Sequence, residues 1–369
     1  MFELSQLPIL WSQWMQSLWV NKTNLSKAEW HETALPELGD GQVLLEIEKY
    51  ALTANNITYA VVGDGFGYWN FFPTGDDAHG IVPVWGFAKV VQSRCADISE
   101  GERVYGYLPM ASHLVVTPGG LSSGSFVDGA EHRAGLALVY NQYHRLGTDA
   151  GKHEEERALF QPLFTTSFLI EDMMRQADWF GADALVLTSA SSKTALGLAL
   201  VAKNLSPGIK RIGLTSPGNI AFVEQTGLYD QVLAYDDLGQ AESGQPTVSV
   251  DFAGNSKLLS AIHSHWGDNL KYSCLVGVTH IDERSGAGDL EGPKPIMFFA
   301  PTAAQTLIEQ VGPDQFRASV DKEFAAFIGA MKDHLGVEHH SGTGAIASSY
   351  LEMLGGKVAP SRGMICAFA

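Results

Sequence analysis

The densest group of chemistry-bearing side chains in the sequence is Ser189-Ala-Ser-Ser-Lys-Thr194, four hydroxyls and one cation within six residues. An apolar run, Ala182-Asp-Ala-Leu-Val-Leu-Thr188, precedes it and an Ala/Leu-rich segment, 195–204, follows. That order reads as a buried strand, a turn and a helix. A turn of this kind offers a phosphate the unpaired N–H groups and the positive dipole end of the helix. Ser189, Ser191, Ser192, Lys193 and Thr194 are therefore candidates for holding a pyrophosphate. Ser189, Ser192 and Ala195 stand where close approach of backbone to phosphate favours glycine, so hydroxyl groups must do here what bare backbone does elsewhere. An ordinary strand-to-helix turn with Ser/Thr capping is the open alternative. The nucleoside-triphosphatase loop needs Gly immediately before the Lys and another five residues earlier, positions that hold Ser192 and Leu187.

The next strand ends in Leu214-Thr-Ser-Pro-Gly-Asn219. A site selective for NAD places Asp or Glu there to bind the ribose 2′-hydroxyl. Thr215, Ser216 and Asn219 leave room for a 2′-phosphate instead, which favours NADP(H). Val278, near the end of a strand read over 273–279, completes the cofactor candidates.

These residues need a sheet to position them. Strands are predicted at 182–188, 211–215, 231–235, 247–252 and 273–279, with helices at 164–179, 195–204, 220–226 and 257–265 between them. Such alternation implies a parallel sheet covered on both faces, the doubly wound α/β arrangement. The first ~120 residues differ: short alternating runs at 41–53, 82–92 and 101–116, separated by Gly and Pro turns, predict a β-rich domain. The charged stretch 149–157 reads as a connection or an exposed helix start. Helices are expected at 321–335 and 344–354, and the apolar end, 363–369, as a strand rejoining the first domain. The division is thus 1–160, completed by 305–369, and 161–304.

With 369 residues, two domains are expected, and 45% apolar against 18% charged residues supplies their cores. A net charge of −17 argues against nucleic acid and anionic membrane as partners. Met1 to Val20 has neither a basic start nor an unbroken apolar run, so neither a leader nor a membrane span is read there. Three isolated cysteines, Cys95, Cys274 and Cys366, give no disulfide framework and fit a reducing cytoplasm.

Phe87-Ala-Lys-Val-Val, Ile98-Ser-Glu-Gly-Glu-Arg-Val-Tyr-Gly and His113-Leu-Val-Val-Thr-Pro, in that order, resemble the medium-chain dehydrogenase/reductase superfamily. Tyr50-Ala-Leu-Thr-Ala-Asn-Asn-Ile-Thr-Tyr-Ala, Tyr68-Trp-Asn-Phe-Phe-Pro and Val82-Pro-Val-Trp-Gly-Phe-Ala resemble one branch of it, domain of unknown function 2855. The resemblance implies a GroES-like β-rich catalytic domain, a Rossmann-like cofactor domain and a homodimer joined through cofactor-domain edge strands. Zinc-dependent members carry a Gly-His-Glu where this chain has Val84-Trp85-Gly86-Phe87, and a Cys near the position of Asn55. Neither is present, so no metal is expected. His263, His265, His339 and His340 are read as exposed or capping residues. The same resemblance places 55–68 along the nicotinamide cleft, with Asn55 or Asn56 on the carboxamide or substrate and Tyr59 or Tyr68 as acid or anchor.

Three functions follow as expectations. The first is a zinc-independent, NADP(H)-dependent reductase acting on an activated C=C or a quinone-like, apolar or aromatic molecule. The others are a cofactor-binding protein without reductase activity, and a lyase or thioester-processing enzyme on the same fold.

Overall fold

The computed structural model describes residues 14–147, 151, 153–276 and 290–368. They form two compact units, Met1–Ala158 with Glu338–Lys357 and Met364–Ala369, and Leu159–Val337 with Val358–Gly363.

The first unit opens on a hairpin absent from the sequence reading, β1 (Trp14–Asn21) and β2 (Asn24–Ala34). Asn21 Oδ1 closes its turn by accepting from Thr23 N and Asn24 N. β3 (Val43–Leu52) runs into a short helix, α1 (Ala54–Val61), and β4 (His79–Ile81) pairs with β1. β5 (Pro83–Ser93), β6 (Arg103–Pro109), β7 (His113–Val116), β8 (Pro118–Gly119), β9 (Ser125–Asp128) and β10 (Gln142–Arg145) follow. The β5–β6 register sets Trp85 opposite Tyr107 and Phe87 opposite Tyr105. The two-residue period then stacks all four rings on one face, with centroids 5.2 Å apart for the first pair and 5.1 Å for the second.

Residues 154–157 of the charged stretch are the start of a long helix, α2 (Glu154–Gln176), which begins ten residues before the predicted 164 and runs through Pro162. Glu154, Glu155 and Glu156 place negative charge at its positive dipole end. Glu154 is buried rather than exposed, because Lys49 Nζ at 2.8 Å and Arg103 Nη1 at 2.7 Å neutralise it. Burial opposes its ionisation, yet the two cations hold it below the usual carboxylate range.

The second unit alternates as expected: β11 (Ala184–Leu187), α3 (Lys193–Leu205), β12 (Lys210–Thr215), α4 (Ile220–Gln225), β13 (Gln231–Ala234), β14 (Thr247–Asp251), α5 (Ser256–Trp266), β15 (Leu270–Val276), then β16 (Ile296–Phe298). All pair in parallel in the order β13-β12-β11-β14-β15-β16. Ala184, Val186, Ile212 and Leu214 pack on Leu233, Ile262 and Trp266 as one core layer. Two helices follow, α6 (Ala300–Val311) and α7 (Pro313–Met331). Residues 305–337, expected to complete the first domain, belong to this unit. Phe324 and Phe327 of α7 pack on Phe160 and Phe164, with ring centroids 5.1 to 5.3 Å apart.

The chain then supplies β17 (Gly336–Ser341), α8 (Thr343–Leu354) and β18 (Arg362–Ala367). β18 pairs with β3, Met364 opposite Leu52, so the terminal strand rejoins the first sheet as expected. That sheet has nine strands in the order β17-β18-β3-β5-β6-β10-β9-β8, with β7 also on β3. No helix among the described residues is long and apolar enough to cross a membrane.

His263 is completely buried, a correction to its reading as exposed or capping. The Glu291 carbonyl, 2.7 Å from Nδ1, can only accept, so Nδ1 carries the proton and Nε2 accepts from Ser273 Oγ at 2.9 Å. Burial depresses its pKa. The neutral ring is thus the native form, and stability present above the unfolded value of about 6.5 is lost as pH falls from there toward the folded value. Thermal melts between pH 8 and 5 should show this acid-side fall in Tm. His263→Gln should melt lower at pH 8 and lack that component.

Candidate functional site

The strand order of the second unit reverses direction between β11 and β14, and in open parallel sheets ligands bind beyond the C-terminal ends of the strands at such a point. Thr188 and Asp251 tie the two ends together. Thr188 Oγ1 donates to Asp251 Oδ1 at 2.6 Å and accepts from Phe252 N at 2.8 Å and Ala253 N at 3.0 Å. Asp251 Oδ2 is buried without a hydrogen-bond partner. Cys274 beside it has its thiol pushed up to about 12, first by burial and then by the Asp251 charge.

Ser189, the next residue, adopts φ +47°, the left-handed conformation that favours glycine. The turn made elsewhere with Gly is therefore made here with Ser. It closes with Ser192 N donating to the Ser189 carbonyl at 2.7 Å. Ser192 is the N-cap of α3 and accepts from Ala195 N at 3.2 Å. Close packing behind the loop depends on Gly213 of β12, where a Cβ would stand 2.9 Å from the Ala190 Cβ and from the Tyr229 ring. Tyr229 in turn donates to the Ala190 carbonyl at 2.9 Å.

The predicted hydroxyl residues of the two strand ends come together. Ser191 Oγ accepts from Thr215 Oγ1 at 3.4 Å and from Asn219 Nδ2 at 3.1 Å, and Asn219 Nδ2 also reaches Ser216 Oγ at 3.1 Å. The cluster is neutral and carries no carboxylate. Thr194 stays half-buried on the first turn of α3, its carbonyl accepting from Ser167 Oγ at 2.7 Å. Lys193 does not join the loop hydroxyls: its Nζ donates to the Arg362 carbonyl at 3.1 Å, and burial pulls its pKa down to about 8. Val278 lies outside the described residues.

In the first unit, α1 and the turns after it build an aromatic cluster. Thr53 is the N-cap of α1, and Asn56 Oδ1 accepts from Thr53 N at 2.7 Å, a reciprocal capping box. Asn56 Nδ2 donates to the Pro83 carbonyl at 2.9 Å. Both ends of its amide are engaged by the fold. Asn55, partly exposed, bears instead on the Tyr59 hydroxyl.

Tyr59 and Tyr68 are brought together, ring centroids 4.5 Å apart. Tyr140, from the short turn Leu138–Tyr140, joins them; its hydroxyl lies 3.2 Å from that of Tyr68. Trp85 Nε1 donates to Tyr59 at 3.2 Å, and Tyr107 lies 4.7 Å from the Tyr140 ring. Burial raises the pKa of Tyr59, Tyr68 and Tyr140 alike, so all three hydroxyls are protonated donors at neutral pH. The rim is apolar, with Phe66, Leu138 and Val139 exposed. Sequence reasoning missed Tyr140, which sits in no recognisable pattern, and Asp251, which a carboxylate ending a buried strand at the sheet's reversal point would have flagged. Among the described residues no group of three or more His, Cys, Asp or Glu side chains is placed to hold a metal.

A β-rich GroES-like unit and a six-stranded Rossmann-like sheet together define the medium-chain dehydrogenase/reductase fold. The chain belongs to the family described as "Protein of unknown function (DUF2855)", whose model matches residues 50–359. No curated protein matches the chain. Among solved structures it is similar to CurA of Vibrio vulnificus, crystallised with NADPH, at 15% identity and TM-score 0.64 over 96% of this chain and 99% of that one. A putative NADPH:quinone reductase of Mesorhizobium loti matches at 14% identity and TM-score 0.63 over 98% and 100% of the two chains. The quinone oxidoreductase of Coxiella burnetii matches at 12% and 0.57 over 96% and 100%. At these identities the likeness is one of fold.

Because Ser189 holds a conformation that costs a non-glycine residue roughly 1 kcal/mol or more, Ser189→Gly should unfold within about 1 kcal/mol of the parent. Ser189→Val, β-branched at the same φ, should lose clearly more than Ser189→Gly in denaturant melts. Equal losses for both would remove the strain.

Proposed function

We propose that this protein is an NADP(H)-dependent oxidoreductase, a reductase of activated C=C bonds or quinone-like molecules that works without zinc. The observation that carries the reading is the neutral cluster Ser191, Thr215, Ser216 and Asn219 at the end of β12, one strand from the sheet's reversal point. In a sheet of this order that position faces the adenosine ribose, and the missing carboxylate leaves room for a 2′-phosphate. The left-handed turn at Ser189 and the capped start of α3 suit the diphosphate, with the first-turn N–H groups as donors. The similar CurA structure was solved with NADPH, and two other similar structures are a quinone oxidoreductase and a putative NADPH:quinone reductase, which supports the same class.

NADPH supplies hydride; the chain's own residues supply the rest. Tyr59, Tyr68, Tyr107 and Trp85 form the apolar, aromatic wall for a flat substrate, and Tyr59 or Tyr68, both held as protonated donors by burial, is the acid. Asn55 is the polar contact for the nicotinamide carboxamide or the substrate. The apolar β16 edge, with Ile296 half exposed at 50% and Met297 at 44%, suits pairing with a second copy. Three cysteines unpaired among the described residues accord with a cytoplasmic location.

Three outcomes test this. Millimolar NADPH should raise Tm well above the effect of NADH, as binding to the native state requires. NADPH oxidation should appear with an enone or quinone in a broad substrate panel. Binding with no oxidation by any of them would identify a cofactor-binding protein without reductase activity. Thr215→Asp, which restores a carboxylate at the ribose, should weaken NADPH binding by about tenfold or more and spare NADH. Separately, Ile296→Lys should turn a dimer into a monomer in sedimentation; unchanged mass would place any interface elsewhere.

A further inference from the structure

Exposed apolar side chains gather beside the tyrosine cluster. Val61 at the end of α1, Phe66 in the loop after it, and Leu138 and Val139 in the 138–140 turn are 41 to 64% exposed. Large apolar side chains that meet water singly are ordinary; a contiguous group marks a contact surface. These are contiguous. A Cβ on Gly67 would stand 3.8 Å from Leu136 Cδ2, so the loop before Tyr68 lies against the segment before Tyr140. The Tyr68 and Tyr140 hydroxyls, 3.2 Å apart, join the two segments again. The Phe66 ring stacks beside that of Tyr68, centroids 6.3 Å apart, so the shelf continues the aromatic wall outward.

Charge decides what can lie on this shelf. Residues 61–68 and 134–140 contain no Lys or Arg, and two carboxylates at their edges, Asp64 and Glu131, are exposed. Arg133, the cation next to them in sequence, is buried: it pairs with Asp128 Oδ2 at 3.2 Å and lies 4.8 Å from the centroid of the Phe72 ring. A phosphate or carboxylate placed on the shelf would face Asp64 and Glu131, on a chain whose net charge is already −17.

We infer that the substrate is a neutral amphiphile, with a flat head against Tyr59, Tyr68 and Trp85 and an apolar tail lying across Phe66, Leu138 and Val139. The inference rests on the reductase reading, which stops at an enone or quinone, and sharpens it to an uncharged molecule with an alkyl or prenyl chain. Enoyl thioesters of phosphate-bearing carriers fall outside it, because the shelf has no cation to receive them. A methylene moved from water into full apolar cover gains about fourfold in affinity. On an open shelf, with one side of the tail still wet, roughly twofold per methylene is expected.

The probes are 4-methylphenol, 4-butylphenol and 4-hexylphenol, flat rings that stay neutral at about pH 7, titrated calorimetrically into the full chain. The hexanoate of the same ring, 6-(4-hydroxyphenyl)hexanoate, is the anionic counterpart. The hexyl compound should bind about tenfold or more tighter than the methyl compound, and the hexanoate should lose most of that gain. In Leu138→Ser, and separately in Phe66→Ser, the hexyl-to-methyl ratio should fall to about threefold or less. Leu351→Ser, an exposed leucine on α8, should keep the full ratio. All three positions face water, so the variants should fold with little change in Tm. Equal affinities along the series in the parent, a hexanoate bound as tightly as the hexyl compound, or a ratio lost equally in Leu351→Ser overturns the inference. Quinones reduced at rates independent of tail length keep the reductase reading and overturn the inference. A tail ratio carried by Phe66 and Leu138 in a chain that oxidises no NADPH with any alkylated quinone or enone leaves the amphiphile site standing and overturns the reductase reading.

Discussion

One hydroxyl group carries the geometry of the sheet's reversal point. Thr188 Oγ1 is shared between the Asp251 carboxylate and the Phe252 and Ala253 amides, and it locks the C-terminal ends of β11 and β14 together where the strand order reverses. With that point fixed, the chain leaving β11 must turn at once. It does so through a left-handed Ser189, and Ser192 then caps α3. Gly213 lets β12 close on the back of the same loop, which brings Thr215, Ser216 and Asn219 beside Ser191. The Asp251 Oδ2 atom at this joint is buried without a hydrogen-bond partner.

The parallel sheet was legible because fully buried strands read as short continuous apolar runs. Ala184-Leu-Val-Leu and Thr247-Val-Ser-Val-Asp declare themselves, and their spacing by helical segments fixes the winding. The loop candidates were legible for the same reason, since the end of a clear strand locates the ligand side. What composition could not reveal was tertiary neutralisation. Glu154 reads as solvent-facing charge, and only the arrival of Lys49 and Arg103 from distant strands makes it a buried helix start. His263 is similar, a polar residue on an apparently ordinary helix whose two ring nitrogens find Glu291 and Ser273 in the fold.

Within the candidate site, some of the expected residues have their side chains on the backbone. Asn56 sits beside Asn55, and nothing in the pair distinguishes them in sequence. Capping geometry separates them, because the third residue of α1 is the one that can reach back to Thr53 N. Lys193 is a phosphate candidate by position, and its ammonium donates to the Arg362 carbonyl. Tyr140 carries no signal in the sequence because short loops have no periodicity, and its place in the cluster comes wholly from where the turn delivers its hydroxyl.

The central claim is that the turn at 189–194 and the cluster at the end of β12 bind one nucleotide. A crystal of the chain grown with NADPH measures this directly. The account predicts electron density for the diphosphate against residues 189–194 and for the 2′-phosphate beside Thr215, Ser216 and Asn219. A nucleotide bound elsewhere, or a crystal at saturating NADPH with no density at that loop, would contradict it.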